Sequence, residues 1–366
     1  MEYVERAEKH EWSKATRNVI VRLALVVILV FLTAGLSHAQ GCIVARSTSL
    51  GTGPESEGGY LAAKHWQLTI DYRHQYSFRH FIGDVEQVQR QQMENFVENR
   101  INLENFQLTY QATDRWSFDI NIPVLEASRR SHNSYYTTYS QGIGDILLSI
   151  DRWMWNPQKN PPHNIQLGVG MQMPTGRDDV QNDVITAPGA TPANVTLDYS
   201  IQPGSGGWGI LVGVQAFQNL GKQAQFYFNT SYIATPQDTN GVLRSATAAS
   251  QPLTEYNSIS DQYLIEMGVA MPITPVKGLT FTFGPRDEGV PAHDLFGQSF
   301  GFRRPGMSIS LEPGLVYMRG RNILSASVGR AVFRDRIRSV PDKLLGTHGD
   351  AAFADYVWLA SLTRRF

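Results

Sequence analysis

Apolar and polar residues alternate along twelve separate stretches of this chain, from Trp66 to the terminal Phe366, and this recurrence limits the fold more than any other feature. The segment 142–176 shows it most plainly. Ile165, Leu167, Val169, Met171 and Met173 share one side of a strand, while Gln166, Gly168, Gly170, Gln172 and Pro174 share the other. Successive strand side chains point to opposite faces of a sheet, so such a strand has one apolar and one polar or small face. The same period returns over 66–78, 106–112, 116–124, 146–150, 208–216, 224–232, 259–271, 279–283, 307–317, 324–332 and 356–366.

The connections alternate as well. Residues 113–115, a turn rich in Asn and Pro after Trp155, and residues 219–222, 272–278 and 319–322 make short links. The links up to Arg100, over 126–141 and 175–206, up to Ser258, and over 284–305 and 333–351 are long and polar. An even strand number, short turns at one end and long loops at the other are the pattern of bacterial outer-membrane barrels, and closure removes edge strands. The sequence therefore predicts an all-β fold: a single up-and-down antiparallel transmembrane β-barrel of about 12 strands over 65–366, with short periplasmic turns and long outer loops. The expected location is the bacterial outer membrane. A secreted sandwich, propeller or lectin is the competing reading; it would space its strands more evenly and has no reason to end on an aromatic residue.

With the first strand starting in the periplasm, Trp66, Trp116, Trp153 and Trp155 fall at periplasmic strand ends and Trp208 near an outer end. Indoles gather at both membrane interfaces because they are apolar over the rings and polar at the N–H. Phe366 is similar to the final aromatic residue by which such barrels are recognised. The expected partners are thus outer-membrane lipid, a small-molecule solute and the outer-membrane assembly machinery, engaged through the C-terminal strand.

Residues 23–36, LALVVILVFLTAGL, follow Arg17 and Arg22 and precede Ser37-His38-Ala39. The run is short for a spanning helix and ends on a small-x-small site, so it reads as a signal peptide over 1–39, cut after Ala39. An uncleaved anchor is the alternative. Residues 40–64 read as a flexible leader rich in Gly, Ser and Thr. Cys42 is the only cysteine, which excludes an internal disulfide or a multi-cysteine metal site; lipidation of Cys42 is disfavoured by the poor Ala39-Gln40-Gly41 context.

The 32 basic and 33 acidic residues give a net charge of -1, which removes the electrostatic case for binding nucleic acid. A hydrophobic share of 42% and a mean hydropathy of -0.26 suit a barrel whose polar lumen and loops offset its lipid face.

By phase, the lumen face carries Asp71, Arg73, Gln75, Asp119, Asn121, Asp145, Ser149, Asp151, Gln166, Gln172, Gln262, Glu266 and Glu312. Their excess of carboxylates would favour cations or neutral polar solutes, although for any single one the simpler explanation is a charge that pairs to hold the barrel rigid. The segment 283–306, FGPRDEGVPAHDLFGQSFGFRRPG, concentrates Arg286, Asp287, Glu288, Asp294, Arg303 and Arg304 and is expected to be an outer loop, either a constriction or a patch at the mouth. No His has a nearby partner pattern of a known nucleophile, the acidic run 177–183 lacks the spacing and Gly of a calcium loop, and GIGD at 142–145 opens a strand rather than a helix, unlike a phosphate loop. Neither enzyme chemistry, cofactor nor metal is expected.

GIGD leading into an amphipathic strand, a Pro-containing turn and a strand closing on Pro174-Thr175-Gly176 resembles the outer-membrane barrel family labelled MetA-pathway of phenol degradation. The resemblance is firmest over 141–176, and the EGVP, FRRPG and terminal aromatic segments are similar to a subgroup of exported barrels. It implies a porin-like transporter that passes or binds a small solute passively, aromatic or hydrophobic compounds being among the candidates. A barrel-embedded lipid hydrolase and a closed structural or adhesion barrel are the alternatives.

Overall fold

The computed structural model describes residues 60–366 except 160, 222–223, 246–247 and 275; the expected signal segment, Cys42 and most of the expected leader lie outside these. Twelve strands form the wall: β1 (His65–Ile82), β2 (Val97–Gln111), β3 (Trp116–Ser131), β4 (Leu147–Trp153), β5 (His163–Gln172), β6 (Gly209–Asn219), β7 (Gln225–Ala234), β8 (Gln262–Pro272), β9 (Leu279–Val290), β10 (Gly306–Arg319), β11 (Asn322–Asp335) and β12 (Ala351–Arg365). Each pairs antiparallel with the next, and β12 returns to β1 from Gln67↔Arg365 to Phe81↔Ala351. The Phe366 N–H donates to the Trp66 carbonyl at 2.9 Å, so the last residue extends the closing seam. Among the described residues no helix is long and apolar enough to cross a membrane; the crossing is made by strands.

The expected phase holds around the wall. Val169 is 60% exposed and Leu167, Met171, Ile210, Val212, Leu324 and Trp358 are exposed on the outside, while Gln172, Asn229, Glu266 and Glu312 are buried on the inside. So much contiguous exposed apolar surface is incompatible with water and fits a lipid contact. Trp66, Trp116, Trp155 and Trp208 join this outer surface. Trp153 does not. It lies on the lumen face of β4 and is 3% exposed, because its odd-numbered phase is that of Ser149 and Asp151 rather than of Leu148 and Ile150.

Strands β2 and β3 extend beyond the apolar periodicity. Outside, Phe106, Leu108, Trp116, Phe118 and Ile120 give way to Asn102, Glu104, Glu126 and Arg130; inside, Ile101, Leu103, Leu125 and Ala127 are buried. The phase is unchanged while polarity is exchanged, as happens when a wall leaves lipid and continues into water. Much of the expected loop up to Arg100 and over 126–141 is therefore strand: β1 runs to Ile82, β2 begins at Val97, and Thr138–Ile143 pairs with β3 from Arg129↔Thr138 to Val124↔Ile143. Between that short strand and β4, residues 144–146 leave the ladder opposite Pro123, which has no N–H to offer; Pro123 accepts from the Gly144 N–H at 2.8 Å instead.

Two further expectations change. The loop expected to start at Phe283 begins only after Val290, so Arg286, Asp287 and Glu288 belong to β9. Gly284 and Pro285 interrupt only the ladder to β8, which lapses between Val269↔Phe283 and Glu266↔Arg286, while pairing to β10 continues. Ile259, expected at the start of the eighth strand, is 1% exposed among the outer loops, and β8 starts at Gln262.

Candidate functional site in the barrel lumen

The lumen is filled at three levels. At the outer level, residues 173–208 fold inward. Leu197 and Ile201 from this loop pack with Ile101, Leu103, Leu125 and Ala127 of the β2–β3 wall. Asp145, expected to line the lumen, holds the base of the loop: it accepts from the Ser205 N–H at 2.7 Å, the Ser205 hydroxyl at 2.6 Å, the Gly176 N–H at 3.1 Å and the Gln172 amide at 3.2 Å. Gly176 and Gly204 meet backbone to backbone; a Cβ on Gly204 would lie 2.1 Å from the Gly176 carbonyl oxygen. The GIGD and PTG ends of the opening segment are therefore parts of one loop seat.

Asp198 carries the ionic part of this seat. Arg304 forks onto it at 2.8 and 2.6 Å, Arg129 of β3 approaches to 3.4 Å, and the Ser200 hydroxyl donates at 2.7 Å. Burial alone would raise the Asp198 carboxyl, but the two guanidinium groups outweigh it and hold the acid well below the ordinary carboxylate range. Arg304 also stacks over Tyr199 and Phe302, at 5.2 and 4.8 Å from the ring centres. Its neighbour Arg303 forks onto Asp294 at 2.7 and 2.5 Å, so Asp294, Arg303 and Arg304 do lie in the loop between β9 and β10, paired rather than free. Sequence reasoning missed Asp198 and Arg129, because no local pattern announces an ion pair between residues so far apart in the chain.

At the waist, Arg73 of β1 reaches Glu288 of β9 at 2.9 and 2.5 Å and also donates to Gln75 at 2.7 Å. Arg286 donates to Glu288 at 3.1 Å and lies 3.7 Å from Glu312, which accepts from the Ser327 hydroxyl at 2.6 Å. Glu266 is buried beside them, opposite Asn229 in the β7–β8 ladder. The lumen residues Arg73, Glu266 and Glu312 are thus joined by Arg286 and Glu288, which the sequence placed in a loop. Asp287 has the opposite phase and stands on the outer face of β9 near Tyr263.

Below the waist is a cavity of about 70 Å³, room for several waters. Asp119, Asp151, Gln166, Gln107 and Gln215 border it, and Tyr60 and Trp153 line it toward the periplasmic end. Tyr60 meets Trp153 edge to face at 5.3 Å and Phe217 at 6.2 Å. Asp71, on the same inner face, accepts a long hydrogen bond from Asn105 at 3.4 Å. The arrangement can bind or exclude a polar guest; among the described residues no group of His, Cys, Asp and Glu could hold a metal ion. His80, buried at the outer end, has both ring nitrogens engaged, by Asp350 at 2.8 Å and by the Val97 N–H at 2.8 Å.

No family model and no curated protein matches the chain. Among solved structures, an outer membrane channel from Pseudomonas putida F1 superimposes with a TM-score of 0.55 over 84% of this chain and 97% of that one, at 11% identity. The Ralstonia pickettii toluene transporter TbuX gives 0.44 over 90% and 99% at 11% identity, and the translocator domain of the autotransporter NalP from Neisseria meningitidis 0.43 over 85% and 92% at 12%. At such identities the first likeness concerns the fold, and the other two are too distant to add to it. A closed barrel with an apolar outer face satisfies its backbone without water, and the bacterial outer membrane is the location this architecture assigns.

Proposed function

We propose that the chain is an outer-membrane channel that passes a small solute passively, with residues 173–208 as its gate. One observation carries the reading: a cavity persists inside the barrel beneath a loop seated largely by polar and ionic contacts. A purely structural barrel gains nothing from an inner cavity, since unfilled space forfeits packing. The like-folded Pseudomonas putida protein is an outer membrane channel, which supports the same class. Under this reading a solute meets Asp294, Arg303 and Arg304 at the mouth and Asp145 and Gln172 at the loop seat. It then passes Arg73, Arg286, Glu288, Glu266 and Glu312 at the waist, and Asp71, Asp119, Asp151 and Gln166 below it. Aromatic or hydrophobic solutes are the class implied by the resemblance over 141–176. Assembly through the C-terminal strand ending at Phe366 belongs to the same proposal.

The test is conduction in planar bilayers. Wild-type protein should give small or rare openings, and replacing residues 177–203 with a short Gly-Ser link should give a larger, steady conductance. Silence of that variant, with its barrel intact by circular dichroism, would leave the closed structural barrel as the better reading.

A further inference from the structure

The two ends of the barrel differ in charge. Every short turn carries at least one Lys or Arg, and Asp114 is the only acid among those turns, although the whole chain has a net charge of -1. The side of the wall next to the closing seam concentrates this excess. Lys277 lies in the turn between β8 and β9, Arg319 and Arg321 flank the turn between β10 and β11, and Arg364 stands at the end of β12. All four are exposed, and among the described residues none of them meets a carboxylate.

Strand register puts two of them on the lipid side. Arg319 follows Leu315 and Tyr317 at two-residue spacing and shares their outward phase on β10, where Leu315 is 47% exposed. Arg364 follows Leu362, 45% exposed, in the same way on β12. The ladder pairs Tyr317 with Leu324 and Leu324 with Leu362; one step toward the periplasm it pairs Arg319 with Asn322 and Asn322 with Arg364. An apolar row therefore ends directly on a row of Arg, Asn and Arg. With one strand between them the two arginines stand about 10 Å apart along the sheet. In that interval the Arg364 guanidinium donates to the Asn322 Oδ1 at 2.8 Å, while the Arg319 side chain has no polar partner among the described residues.

A guanidinium on the lipid face at the edge of hydrocarbon is costly unless an anion meets it there. Just below the apolar belt, that anion is the phosphate of a lipid whose acyl chains cover the row above. Guanidinium forks match phosphate oxygens, and two long side chains can converge on a phosphate lying between them. The charges of Lys277 and Arg321 favour a lipid with a net negative head over a zwitterionic one. We propose that Arg319, Asn322 and Arg364 form a headgroup site for an anionic phospholipid of the periplasmic leaflet, its phosphate between the two guanidinium groups and an acyl chain along Leu324, Leu362 and Leu315. The inference rests on the membrane location and is independent of whether the barrel conducts.

Electron spin resonance of spin-labelled lipids tests the site, with the full chain reconstituted in phosphatidylcholine vesicles. Spin-labelled phosphatidylglycerol should associate with the wall about fivefold more strongly than spin-labelled phosphatidylcholine, the factor given by one basic group at an anionic surface. The Arg319→Gln/Arg364→Gln double variant, its barrel checked by circular dichroism, should lose most of that preference. Arg321→Gln removes the same single charge as Arg319→Gln but from the tip of the turn, and should keep most of it; Arg338→Gln, exposed in the loop between β11 and β12 at the other end, should keep all of it. Equal association of the two lipids with the wild type would overturn the proposal, as would a preference that survives the double variant. A loss in Arg321→Gln as large as in Arg319→Gln would also overturn it, leaving diffuse charge at that end in place of a site.

Discussion

Arg73 and Glu288 meet across the lumen through two hydrogen bonds, 2.9 and 2.5 Å long, although β1 and β9 are separated around the wall by β10, β11 and β12. Removing one partner leaves a buried charge uncompensated, which costs about 3–5 kcal/mol. Arg73→Ala or Glu288→Ala should destabilise the folded barrel by that amount in urea titrations in micelles. The double variant should lose less than the two changes added together, and its single-channel conductance should exceed the wild type's. An additive loss would mean that the two side chains do not interact.

Asp198 makes a distinct prediction about pH. Its folded-state value is depressed, so it contributes stability at every pH above the ordinary carboxylate range and loses it only as pH falls through its own, lower value. The loop over 173–208 should therefore resist an acid-active protease at pH 4 as well as a neutral protease at pH 7. Asp198→Asn, which keeps the shape and removes the charge, should expose the loop to cleavage at both. Asp350, where burial is outweighed by His80 and Arg90, is also held low and should keep its partners over the same range.

The Gly176–Gly204 contact admits no side chain. Both neighbours are backbone, so Gly204→Ala must move the loop or the wall, an overpacking cost of about 1–3 kcal/mol. The expected result is a folded barrel with a looser loop: unchanged strand signal by circular dichroism, faster proteolysis within 177–203 and more frequent channel openings.

Tyr60 covers Trp153 from the periplasmic side. Tyr60→Ala removes an edge-to-face pair worth about 0.5–1.5 kcal/mol and should let water reach the indole. The emission assigned to Trp153, obtained as the difference from Trp153→Phe, should shift to the red in Tyr60→Ala. An unshifted band would mean that the ring contact does not shield the indole.

The strand number, the phase and the alternation of turns and loops were legible because lipid imposes a two-residue period wherever it touches the wall. Where the wall leaves lipid, as at Glu104 and Glu126, the period inverts and the strands read as loops. Gly284 and Pro285 hid the rest of β9 in the same way: they are turn residues by composition, yet here they relax only the ladder to β8. The inner faces of Arg73, Asp119, Asp151, Gln166, Glu266 and Glu312 followed from phase alone. What pairs with what did not. Arg73 with Glu288, and Asp198 with Arg304, are contacts across a closed barrel, and alternation along one strand holds no information about the strand opposite.

The exchange of polarity on β2 and β3 also sets how deep the barrel rides. Glu104 and Glu126 stand on the outer surface just above Phe106 and Val124. Sinking the wall by one pair of residues would carry both carboxylates toward hydrocarbon, and raising it would expose Phe106 and Ile122 to water. A charge dragged toward the bilayer midplane costs up to about 2–4 kcal/mol for the basic side chains and less for acids, so the two glutamates act as a waterline on one side of the molecule. The opposite side has no such tall extension, and the barrel should therefore sit with a fixed height but a lopsided rim.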